Sequence, residues 1–173
     1  MTLPQIILAL MTIICSGVAS AIVTYKLNSN RDERQFLRKK LEEVNLAFMG
    51  YCRQLGIHLI QHQAVMNGEI TFNDTLDLTI NNNDDKERHH EKLSMLLNIY
   101  FPHMSQHLDE IGKCRELGNA IISEFRAAYL TGITASKPHN DAILSVVMRI
   151  TAAEKVLKEA IRTEAKKLNK SIL

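Results

Sequence analysis

Residues 37–65 read LRKKLEEVNLAFMGYCRQLGIHLIQHQAV, and the spacing within them decides the fold. Leu41, Phe48, Leu55 and His62 recur every seven residues, and Leu37, Val44, Tyr51, His58 and Val65 interleave at alternating four- and three-residue steps. This is a heptad a/d stripe, the pattern of a helix that packs in coiled-coil fashion against its neighbours. Arg34, Arg38, Glu42, Asn45 and Arg53 lie on the polar side. The helix is expected from Arg31 to Met66. Asn67-Gly68 ends it, since glycine adopts the left-handed conformation of a helix stop at little cost.

Upstream of the seam the chain turns apolar. From Met1 to Tyr25 there is no charged side chain. The run LPQIILALMTIICSGVASAIVTY, residues 3–25, is long enough to cross a hydrocarbon core of about 30 Å as one helix. Ala19-Ser20-Ala21 has the A-x-A form of a cleavage site, but a signal peptide wants a basic start, and here the apolar run continues through Ile22 and Val23. The expectation is an uncleaved anchor over residues 1–27 and a helical bundle domain over 28–173. Lys26, Arg31, Arg34, Arg38, Lys39 and Lys40 follow the span as a basic collar. Cationic loops stay inside, so the N-terminus is expected outside and the C-terminal domain in the cytoplasm, at the inner (plasma) membrane. The collar also suits anionic headgroups. Ser16 and Ser20, and Gly17 and Ala21, put small side chains on one side of the span, where two spans could approach closely.

Beyond the seam the periodicity stays helical. Leu93, Leu96, Leu97, Tyr100 and Phe101 share a side, and Pro102 should stop or kink their helix. Met104, Leu108, Ile111, Ile121, Ile122, Phe125 and Tyr129 resume the spacing, so residues 86–134 are two helices or one kinked helix. Ser136-Lys137-Pro138 reads as a turn. A last helix is expected from about Asn140 to Lys170, with Ile143, Val147, Ile150, Leu157, Ile161 and Leu168 inward. Residues 67–84 read as a loop with at most a short helical turn, and Asp84 with Glu87 as a capping start for the next helix. Scarce Gly and Pro and absent Trp fit an all-α chain: an anchor followed by an antiparallel three- or four-helix bundle with a coiled-coil-like first helix. An up-down-up-down order would carry the acidic segment 69–91 away from the membrane and bring Lys166, Lys167 and Lys170 back beside it.

Chemistry is sparsely signalled. The net charge of +2 gives no global bias toward nucleic acid. The three cysteines, Cys15, Cys52 and Cys114, are odd in number and widely spaced, which argues against a disulfide framework. No phosphate-cradling glycine loop and no nucleophile elbow occurs. His58 and His62 are four residues apart, as are His103 and His107, a helical spacing that can chelate zinc or another transition metal. Neither pair has the glutamate of an H-E-x-x-H protease, and His58 and His62 fall on the seam, where buried imidazoles can serve packing and register. A pH-sensing role for that pair follows from the imidazole alone. The first expectation is therefore a membrane-tethered interaction, scaffold or regulatory module without catalysis or cofactor, partnered by the bilayer and by a protein or a second copy. A metal-binding bundle built on the four histidines, and a periplasmic spanin-like or sensor bundle of reversed topology, are the alternatives.

Overall fold

The computed structural model describes the backbone of residues 3–81 and 88–170, and the side chains of 16–18, 20–78 and 88–169. Among the described residues the chain is all-helical: α1 (Leu3–Met66), α2 (Phe72–Asn81), α3 (His89–Tyr100), a 3-10 turn (Pro102–Met104), α4 (Ser105–Leu130) and α5 (Lys137–Lys170). Two compact units result, Met1–Lys39 and Lys40–Leu173. The first holds only the opening stretch of α1. Among the described residues no helix is long and apolar enough to cross a membrane. Most side chains of the expected anchor, residues 1–15 and Ala19, lie outside the described residues.

The second unit is built on the seam. Leu41, Val44, Phe48, Tyr51, Leu55 and Val65 are all buried, with Ala47, Leu59 and Met66 beside them. Gly68, at φ +75°, closes α1 as expected: Gly68 N donates to Val65 O and Glu69 N to Ala64 O. Four long elements then alternate in direction. The His89 ring lies over Gly50, His90 packs on Tyr51 and Lys40 reaches the Tyr100 ring, so α3 runs against α1. His103 faces Glu164, Gly118 meets Val146, and Phe125 packs on His139, so α4 runs against α5. Ser136 N donates to Met66 O (2.8 Å), while the Cys52 thiol meets Glu154, so α5 also runs against α1. The bundle is therefore four-helical and antiparallel. Lys166 and Lys167 return to the end at which residue 40 enters the unit.

Two expectations are corrected and one open choice is decided. Residues 72–81 are a helix and not a loop. Its start is a reciprocal cap: Asp74 N donates to Thr71 Oγ1 (3.2 Å), and Thr71 N donates to Asp74 Oδ2 (2.7 Å). The T-x-x-D spacing of Thr71 and Asp74 carried that signal. Of the two arrangements expected for residues 86–134, the structure has two helices, because Pro102 opens a 3-10 turn in which Met104 N donates to Phe101 O. Pro138 stands in the first turn of α5, where its missing N–H costs nothing, so that helix starts at Lys137. The capping pair expected at Asp84 and Glu87 lies outside the described residues. Thr71→Ala should cost α2 about 1 kcal/mol of local stability. Faster amide exchange confined to residues 72–81 is the expected readout.

Candidate functional site

The heptad step places His58 and His62 on one side of α1, and their ring centroids stand 4.6 Å apart, edge to face. His58 Nε2 lies 3.3 Å from Asn119 Oδ1 of α4. An amide oxygen only accepts, so Nε2 carries the hydrogen of that bond. His62 turns toward Phe72 of α2, at 5.9 Å between ring centroids. Its Nδ1 is buried and has no hydrogen-bond partner among the described residues. Burial, reinforced by the neighbouring His58 and Arg126, pushes the His62 imidazole down to about 4. It is therefore neutral near pH 7.

The second pair sits at the opposite end of the unit. His103, in the 3-10 turn, places Nε2 3.2 Å from Glu164 Oε2 of α5. Lys167 Nζ donates to the same carboxylate oxygen at 3.1 Å. His107 lines the same cleft, about 320 Å³ in volume, together with Met104, Thr163 and Val156. The two carboxylates of the cleft are paired, Glu164 with Lys167 and Glu159 with Arg162.

The two pairs do not converge. One is tied to α2 and the middle of α4, the other to α5 near its end. Among the described residues no group of three or more His, Cys, Asp or Glu side chains is placed to hold a metal ion. A pair of imidazoles alone leaves a divalent metal short of the three or four protein ligands its sites use. Nor does either described cysteine offer a nucleophile. Cys114 is buried, and burial with the Glu154 carboxylate alongside pushes the Cys52 thiol well above its ordinary range.

The residues of the basic collar and of the small-residue stripe stand apart from this chemistry. Lys26, Arg31, Arg38 and Lys39 are exposed and Arg34 is half-buried. Lys40 is engaged, with Nζ 2.8 Å from Glu43 and over the Tyr100 ring. Ser16, Gly17, Ser20 and Ala21 are exposed, and nothing lies within 4 Å of a Cβ built on Gly17.

One surface was missed in reading the seam. Leu46, Met49, Ile57 and Ile60 recur at three- and four-residue multiples on the side of α1 away from the core. They are 68, 57, 39 and 64 % exposed. Residues 41–66 thus carry a buried apolar side and, opposite it, a bare apolar stripe interrupted by Glu42 and Arg53. No protein-family model matches the chain, and neither a curated protein nor a solved structure matches it.

Proposed function

We propose that the chain is a membrane-tethered helical module that works by contact with a protein partner or a second copy, without catalysis of its own. The observation that carries this reading is the bare stripe Leu46, Met49, Ile57 and Ile60, backed by a rigid four-helix unit. Exposed apolar stripes of this kind mark contact surfaces. The tether is the uncharged run 3–25, of which Val18, Ile22 and Val23 are more than half exposed. The cationic residues that follow favour the N-terminus outside and the bundle in the cytoplasm, with the basic collar against anionic lipid.

The test is purification of the detergent-solubilised full chain through a C-terminal tag, with mass and metal content measured together. A stoichiometric partner or a defined oligomer is expected, lost in the Leu46→Glu, Ile60→Glu double variant while its thermal unfolding is unchanged. A partnerless monomer in both chains would overturn the module. Near-stoichiometric zinc or iron that disappears on His58→Ala with His103→Ala would replace it with a metal site. Deleting residues 2–25 should release the protein from the membrane fraction, and retention there would remove the tether. A C-terminal reporter active only outside the cytoplasm would reverse the topology.

A further inference from the structure

The proposed module leaves one motif unused, the His58–His62 pair. His62 is one of three rings that seat α2. Phe72, at the first position of α2, packs its ring on His62 (5.9 Å between centroids), Phe125 (5.9 Å) and Tyr129 (5.0 Å). Thr75 is buried beside it, whereas Leu76 and Leu78 face outward. On the side toward α1, the turn at Gly68 connects α2 to the bundle. The helix is thus held largely through its first residues.

Among the described residues, the groups whose charge acts on His62 share one sign. His58 of α1 and Arg126 of α4 both oppose a proton on it. Three acids on or beside the packed elements are engaged elsewhere. Asp74 of α2 is bonded to Thr71, and Glu69 accepts from Asn67. Glu124 of α4 lies 3.9 Å from His139 of α5, whose Nδ1 faces Ser136 Oγ at 2.7 Å. A protonated His62 would therefore be a half-buried cation whose buried Nδ1–H meets no acceptor and no anion among the described residues. Such a group leaves its site for water.

We infer that His62 and Phe72 form an acid-released latch: protonation of His62 unseats Phe72 and frees α2, while α1, α3, α4 and α5 stay packed. The sign follows from the lowered imidazole. The open form binds a proton that the closed form excludes, so closure is complete above the ordinary histidine range near 6.5 and is lost as pH falls toward about 4. Opening can rise by at most about tenfold per pH unit in that window, the limit for one proton. The Asp74 cap persists through most of it, because the bonds from Thr71 hold that carboxyl below its usual range. Opening bares the aromatic floor formed by Phe125 and Tyr129.

Amide hydrogen exchange on the full chain in detergent micelles, at pH 7.5, 6.5, 5.5 and 4.5 and corrected for intrinsic rates, tests the latch. Protection over residues 72–81 should fall at least tenfold between pH 7.5 and 4.5, while residues 108–125 of α4 keep theirs. His62→Leu, which keeps an apolar seat and cannot titrate, should flatten the profile, and His62→Gln serves if the leucine variant does not fold. Phe72→Ala should be open at every pH. Protection of 72–81 that is constant with pH, that falls together with 108–125, or that falls equally in the non-titrating variant would overturn the inference.

Discussion

Phe125→Ala is expected to lower the stability of the bundle by about 3–5 kcal/mol. Its ring is fully buried and touches three elements, packing on Phe72 of α2, Tyr129 of α4 and His139 of α5. Truncation removes the transfer energy of a benzyl group and opens a cavity whose walls are rings from separate helices. Those walls cannot close on it without moving α2 or α5. Urea unfolding followed by circular dichroism is the measurement, with Leu117→Ala as control. Leu117 is on the same helix but 40 % exposed, so its loss should be well under half as large. A loss below about 1 kcal/mol in Phe125→Ala would mean that the aromatic cluster does not exist as described.

The second large effect is a reversal of sign between two glycines of α1. Glycine in an exposed helix interior is worse than alanine by about 1 kcal/mol. Nothing lies within 4 Å of a Cβ built on Gly56, so Gly56→Ala should stabilise by about 0.5–1 kcal/mol. A Cβ on Gly50 would fall 2.5–2.6 Å from three ring carbons of His89. That ring is itself buried, so its displacement drags on the start of α3. Gly50→Ala should therefore destabilise by about 1–3 kcal/mol. Thermal unfolding of both variants decides it, and shifts in the same direction would refute the close crossing of α1 and α3.

The seam was legible because one period runs unbroken from Leu37 to Val65, and each of its apolar residues from Leu41 onward is buried. The inward residues of α4 and α5 were legible for the same reason. The bare stripe on α1 was hidden by this success. Arg53 and Glu42 share the side of Leu46 and Ile60, so counting charges made a mixed surface look polar. α2 was missed because ITFNDTLDL mixes β-branched residues with a partial alternation, and a ten-residue helix holds too few periods to outvote them. Its seat on Phe125 and Tyr129 is a tertiary contact that local spacing does not encode. The histidines were legible as pairs but not as sites. Spacing four residues apart puts two rings on one side, whereas convergence of two pairs depends on which helices pack and at what height.

The antiparallel return of α5 sets how the unit would answer a mechanical load. The contacts of Cys52 with Glu154 and of Met66 with Ser136 fix the register, which continues to bring Leu41 level with Ala165. Tension applied between residue 40 and the end of α5 therefore acts on the helices α1 and α5 at the same end. It opens them like a zipper, breaking one layer of side chains at a time. The same tension applied at residue 66 would load every layer together. A pull between residue 40 and the end of α5 thus finds the compliant direction of this unit.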